Sequence, residues 1–133
     1  MEDHQFTRWF RDTSMEDTSI VGGKGASLGE MFQKLSKSGV KVPNGFSLTT
    51  DAFFKFLNSD IPDRTWDNVR NPDGMEDIRN EAIKATSLAE ALEVCLRDVD
   101  PADDLGLNGR AALARSLVRE TPVPIEVRNA IAS

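Results

Sequence analysis

SIVGGKGASLGEMFQKL (residues 19–35) sets two adjacent glycines and a lysine ahead of an apolar run of helical period. Leu28, Met31, Phe32 and Leu35 recur at i, i+3, i+4 and i+7, so a core-facing helix is expected over Gly25–Ser38, with Gly39 where a C-cap glycine would stand. The entry to that helix is chemically pointed. Gly22 and Gly23 can take backbone conformations closed to other residues, the first N–H groups of a helix lack partners, and Lys24 adds a full charge. The combination suits an anion such as phosphate. A plain glycine-rich helix entry remains the alternative on spacing alone. A P-loop would need glycine where Thr18 stands and Ser or Thr where Gly25 stands, and a dinucleotide fingerprint would need glycine at Leu28. Gly25 and Gly29 lie one helical turn apart, open to close approach by another backbone or a ligand.

Outward from this stretch, GVKVPNGFSLTTDAFFKFL (residues 39–57) has a proline, an alternating segment and an aromatic cluster. Pro43 cannot donate to a ladder, so a strand is expected over residues 45–49, with Phe46 and Leu48 on its core side. Thr49 or Thr50 then caps a helix over residues 51–57. Helix, strand, helix points to an α/β (α+β) fold, with helices packed on a small sheet. Residues 6–21 read as an irregular or short extended lead-in anchored by Phe6, Trp9 and Phe10, and residues 58–77 as a loop or insertion rich in Asn, Asp, Pro and Gly. Ser87 and Glu90 have capping-box spacing before Leu88, Leu92, Cys95 and Leu96 on one helical face. A further helix is expected over residues 109–120, and a last one from Ile125 to Ser133.

Length and composition bound the function. The 133 residues suit one domain, and 39% hydrophobic against 29% charged residues is enough apolar material for a core. The net charge of −6 falls wholly in residues 58–133, and no basic cluster exists to favour nucleic acid or an anionic membrane. No apolar run reaches membrane-spanning length, and MEDHQFTRWFRD has no apolar signal core, so cytoplasmic localisation is expected.

VGGKGASLGEM, followed by GVKVPNGFSLTTDAFFKFL, resembles the opening of the phosphoenolpyruvate synthase family, whose relatives include pyruvate phosphate dikinase and rifampicin phosphotransferase. Ser27 and LGEM favour the synthases, Gly25, where synthases often have asparagine, keeps the relatives open, and RSLVRETPVPIEVRNAI is similar to the helix pair that follows in the family. The resemblance implies an N-terminal portion, residues 1–133, of an ATP-grasp type nucleotide-binding domain, truncated before its later strands. It implies that Lys24 contacts ATP phosphates and that Gly22 and Gly23 let the backbone approach them. The family enzymes move the β-phosphate of ATP through a phosphohistidine to pyruvate, giving phosphoenolpyruvate, AMP and phosphate. The family's V-R-S-S block is missing, since Val127-Arg128 runs into Asn-Ala inside a helical pattern. Mg2+ is expected in the full-length enzyme with ligands outside this chain, and pyruvate is expected to bind only through absent domains. This chain alone is therefore expected to be inactive, with no catalytic residue of its own. It is also expected to expose an apolar face through which it self-associates. Two alternatives are a stand-alone nucleotide- or partner-binding module and a non-catalytic remnant of the same fold.

Other candidates weigh less. His4 lacks the glycine- and threonine-rich setting of the family's phosphohistidine and reads as a disordered terminal residue. One histidine and one cysteine make a soft-metal site improbable, and no metal ligand is assigned. Cys95 on an apolar face reads as core rather than nucleophile. Asp98, Asp100, Asp103 and Asp104 lack the glycine and terminal glutamate of a calcium loop and read as caps and solvated charges. Trp9 and Trp66 fit either core or partner contacts.

Overall fold

The computed structural model describes residues 5–132; His4 lies outside them. The chain divides into two compact units, residues 1–56 with 124–133, and residues 57–123. The break falls where the loop-rich stretch after the aromatic helix begins.

In the first unit, strand β1 (Thr7–Trp9) pairs antiparallel with β2 (Phe46–Leu48), with Thr7 opposite Leu48 and Trp9 opposite Phe46. The fold is mostly helical with this two-stranded sheet, an α+β arrangement; no parallel α/β layer forms among the described residues. Helix α1 (Thr18–Lys37) connects the strands and α2 (Thr50–Asn58) follows them. The Phe10 N–H donates to the Gly45 carbonyl (2.8 Å), extending the pairing past the strand ends. A Cβ at Gly45 would come within 2.6 Å of the Phe10 ring, which explains the glycine there.

Helix α1 begins seven residues before the sequence-based start and is broken by Gly22, whose φ of 78° and ψ of 170° are not helical. Its C-terminus matches expectation. Gly39 has φ +83°, its N–H donates to the Ser36 carbonyl, and the Val40 N–H reaches back to the Leu35 carbonyl at 3.0 Å, a Schellman closure. The buried face differs from the expected leucine stripe. Ala26 and Gly29 are the buried residues of α1, while Met31 is half exposed. Close approach explains this: a Cβ at Gly29 would lie 2.5 Å from the Thr13 Cβ, so the helix is seated on the short helical turns that precede it.

The strand alternation is also inverted. Phe46 and Leu48 are 40% and 50% exposed, and Ser47 faces α1. The antiparallel partner shields Phe46 through Trp9, at a ring-centroid distance of 5.6 Å, with Arg11 stacked 5.7 Å from the Trp9 ring. Thr49 is buried and caps α2, its hydroxyl accepting from the Ala52 N–H. Phe53 and Phe54 stay mostly exposed, so the expected broad core face of α2 narrows to Ala52, with Phe56 half-buried. Val127-Arg128 lies in helix α6 (Ile125–Ala132), as its pattern predicts, with Val127 buried.

The second unit holds α3 (Glu76–Ala82), α4 (Leu88–Leu96) and α5 (Asp104–Glu120). Helix α3 was not expected from the sequence. Helix α5 starts five residues earlier than expected because Asp103 caps it through the Gly106 N–H. Ser87 caps α4, but the Glu90 carboxylate accepts from Thr86 rather than from Ser87, so only half of the capping box forms. The α4 core face is Leu88, Ala91, Val94 and Cys95; Leu96 points outward. The loop-rich stretch supplies core: Trp66 and Val69 are buried, and the Trp66 indole donates to the Thr121 hydroxyl at 2.9 Å. No described helix is long and apolar enough to cross a membrane.

Candidate functional site

The glycine-lysine stretch sits on α1 at its break. Thr18 to Val21 form one helical turn; Gly22 then reverses the backbone and the helix resumes at Gly23. A left-handed φ with extended ψ is open essentially only to glycine. A helix start leaves its first N–H groups without carbonyls one turn behind them, which makes it attractive to anions.

The four glycines of this region separate into two kinds. A Cβ at Gly22 or Gly23 would meet nothing within 4 Å. A Cβ at Gly25 would lie 2.8 Å from the Ser47 hydroxyl and 3.1 Å from the Val21 Cβ, and Gly29 abuts Thr13. Close approach at Gly25 and Gly29 is therefore made by this chain itself, which answers the choice between backbone and ligand left open by spacing. Gly22 is demanded by its backbone angles. Gly23 is demanded by neither angles nor internal packing, and its outer face is open.

Lys24 is exposed, and no ion pair or side-chain hydrogen bond engages it among the described residues. Elsewhere in this unit, Lys34 pairs with Glu30 at 3.6 Å and Arg8 with Asp17 at 3.5 Å. An open glycine face, a helix restart and an unengaged ammonium form a set that fits a phosphate group, by backbone donation and by charge. It is an open surface rather than a cavity. A hollow of the first unit, about 690 Å3, lies instead along Asp51, Phe54, Lys55 and Glu126. Its wall sets two carboxylates, Asp51 and Glu126, against one lysine, so Gly22–Lys24 is the better anion site.

The remaining candidates resolve structurally. Burial pushes the Cys95 thiol up to about 11, against the opposing pull of Arg110, so the thiol stays protonated and is a poor nucleophile. Asp100 accepts from the Ala102 N–H and Asp103 from the Gly106 N–H, as turn and cap. Trp66 is a core residue of the second unit. No group of three or more His, Cys, Asp or Glu that could hold a metal occurs among the described residues.

Residues 18–133 match the pyruvate phosphate dikinase AMP/ATP-binding domain family, and the chain belongs to it. Its relatives are phosphoenolpyruvate synthases, which are dikinase-type phosphotransferases. The Synechocystis enzyme is 33% identical over 124 residues, covering 93% of this chain and 12% of that protein. The Escherichia coli enzyme is 56% identical over 50 residues, covering 38% of this chain and 6% of that protein. The Aquifex aeolicus enzyme is 33% identical over 99 residues, covering 68% of this chain and 12% of that protein. The chain thus spans an eighth or less of the length of these relatives.

Proposed function

We propose that this chain is the N-terminal portion of an ATP-grasp nucleotide-binding domain in a phosphoenolpyruvate synthase-like enzyme, and that Gly22, Gly23 and Lys24 hold ATP phosphates. One observation carries the site: the helix restarts at Gly23 beside an open glycine face and an unengaged Lys24. Gly22 aims the restart, Gly23 admits the phosphate oxygens to the backbone, and Lys24 neutralises part of their charge. Phosphoryl transfer needs charge balanced on several oxygens at once, by metal and cationic side chains together. Mg2+ would supply that balance in the complete enzyme, held by residues outside this chain. Pyruvate acceptance, a cytoplasmic location and self-association through the exposed Phe53–Phe54 surface complete the reading.

The test is paired. ATP titrated into the 15N-labelled chain should shift the Gly22, Gly23 and Lys24 amides with a Kd on the order of 1 mM or weaker, as few charge-assisted contacts predict. In the complete enzyme, Lys24→Ala should slow AMP formation roughly a hundredfold, the scale for removing a donor aimed at developing phosphate charge. Lys24→Arg should not fully restore it, since a planar fork does not replace a compact ammonium. Near-normal turnover of Lys24→Ala refutes the assignment.

A further inference from the structure

Asn44-Gly45 and Asn108-Gly109 are the two Asn-Gly pairs of the chain. The first lies in coil just before β2, the second inside α5, and both asparagines are exposed. The backbone separates them. Among the described residues, no hydrogen bond engages the Asn44 side chain, the Asn44 carbonyl or the Gly45 N–H. The peptide unit that joins Asn44 to Gly45 is therefore free to turn. The next unit is held, because the Gly45 carbonyl accepts from the Phe10 N–H at 2.8 Å. Phe10 also fixes the residue type at 45, since a Cβ there would lie 2.6 Å and 3.1 Å from two of its ring carbons. With no side chain on Gly45, nothing on that residue hinders the Asn44 carboxamide from reaching its nitrogen. Gly109 lies past the first turn of α5, where each N–H is spent on a carbonyl one turn back and the backbone is fixed.

We propose that Asn44 is a site of spontaneous deamidation in the folded protein, and that its isoaspartyl product loosens the pairing of β1 with β2. Hydroxide removes the Gly45 amide proton, and the nitrogen attacks Asn44 Cγ. The new N–C bond closes a succinimide ring as the Cγ–Nδ2 bond breaks, and Nδ2 leaves as ammonia with a proton from water. Water then opens the ring. Opening at Cγ gives aspartate, and opening at the main-chain carbonyl gives isoaspartate. The net change is water in and ammonia out, with nothing oxidised or reduced. Ring closure is fast only where the carboxamide and the nitrogen can meet, which the free peptide unit at Asn44 allows and the helix at Asn108 does not. Both products carry a new negative charge, but isoaspartate also adds one carbon to the main chain ahead of Gly45. Gly45 is hemmed in by the Phe10 ring, which fills the space of its missing Cβ. The added length therefore strains the Phe10–Gly45 hydrogen bond, at the end of a sheet whose register runs only from Thr7 to Trp9. The inference is independent of the phosphate site.

The experiment ages the whole 133-residue chain in mildly alkaline buffer and follows each asparagine by peptide mass, which rises when a carboxamide becomes a carboxylate. The same chain unfolded in urea is the reference, in which the two Asn-Gly pairs should react alike. In the folded chain Asn44 should keep its unfolded rate to within about fivefold, while Asn108 should slow by roughly a hundredfold, the scale of a misplaced reacting geometry. Asn44→Gln should remove the fast conversion, because its longer side chain closes a larger and slower ring, and should melt as wild type does. The isoaspartyl form, told from the aspartyl one by isoaspartate-specific methylation of its peptide, is compared with Asn44→Asp, which has the charge without the extra carbon. In the isoaspartyl form the Phe10 N–H should exchange with solvent at least about fivefold faster, the scale of one net hydrogen bond, while Asn44→Asp stays near wild type. If folding slows Asn44 as much as it slows Asn108, the deamidation site is overturned. If Asn44 converts but the isoaspartyl form keeps the wild-type exchange rate at Phe10, the loosening is overturned and the deamidation site stands. Equal acceleration in the isoaspartyl form and in Asn44→Asp also overturns the loosening, because charge alone then accounts for it.

Discussion

Gly22 and Gly23 are adjacent and look alike in the sequence, yet the structure asks different things of them. Gly22 has φ 78° and ψ 170°, so Gly22→Ala forces a side chain into a region costing about 1–3 kcal/mol, and thermal melting should show a loss of several degrees. Gly23 lies in the restarted helix with open space around it, so Gly23→Ala should leave stability unchanged or raise it by up to about 1 kcal/mol. The same Gly23→Ala should weaken ATP, because the methyl group occupies the face proposed for phosphate oxygens. Stability and binding then move in opposite directions at one residue, which a plain helix entry would not produce. Cys95 offers a pH handle. Its folded pKa is raised from 9.0 to about 11, so the folded state holds a proton that the unfolded state releases. The stability from this group is fully present below pH 9 and is lost as pH rises from 9 to 11, by at most about 1.4 kcal/mol per pH unit. Urea unfolding at pH 8 and pH 10.5 should show this alkaline loss in the wild type. The extra loss should be absent in Cys95→Ala, which starts from a lower stability.

Helix α1 is seated by absence of side chain rather than by its leucines. A Cβ at Gly29 would fall 2.5 Å from the Thr13 Cβ and 2.9 Å from the Thr13 carbonyl, and Thr13 is fully buried with its hydroxyl donating to Trp9. The Gln33 amide donates to the Thr13 carbonyl, so α1 is held at this point from two of its turns. Gly29→Ala should therefore cost about 1–3 kcal/mol despite its better helix propensity, read as a lower urea midpoint with an unchanged slope. This geometry also explains what the sequence could convey. The C-terminus of α1 was legible because Gly39 acts locally, through its own φ. The start was not, because a helix that breaks at Gly22 and resumes looks like a loop when glycines are scored as breakers. The 3.6-residue period located the helix but not its contact face, since Ala26 and Gly29 carry little hydrophobic signal and Gly29 is buried against Thr13. For β2 the alternation was real and the assignment of sides was wrong: its inner residue is Ser47, which lies against Gly25. The candidate site was legible as residue types, Gly22, Gly23 and Lys24. The division of the glycines into open and packed ones depends on residues 13, 21 and 47, and no local pattern contains that.

Across the whole molecule, the second unit carries a hydrogen-bonded framework of its own. The Trp66 indole donates to the Thr121 hydroxyl at 2.9 Å, joining the two ends of residues 57–123. The Arg70 N–H donates to the Ser116 hydroxyl at 2.9 Å, the Arg79 guanidinium to the Val69 carbonyl at 3.0 Å, and the Arg110 guanidinium to the Cys95 carbonyl at 2.8 Å. Around these lie the buried Leu88, Ala91, Val94, Leu113 and Leu117. Loop, helices and both ends of the segment thus satisfy one another without residues from the first unit in these bonds. Residues 57–123 expressed alone should therefore fold, with a modest stability of a few kcal/mol as expected for so small a core. Three readings check this. The far-ultraviolet circular dichroism should be helical and melt cooperatively. Trp66, the sole tryptophan of the segment, should emit at short wavelength because it is 3% exposed in the chain. Cys95 should react slowly with a thiol reagent until urea is added. Thr121→Val supplies the internal control: it leaves the indole N–H buried without its acceptor, at a cost of about 1–3 kcal/mol, and should lower the melting temperature of the segment and of the full chain alike. A coil-like spectrum with solvent-exposed Trp66 emission would show that residues 57–123 depend on the rest of the chain, and that the framework closing on Trp66 and Thr121 is not sufficient to fold them.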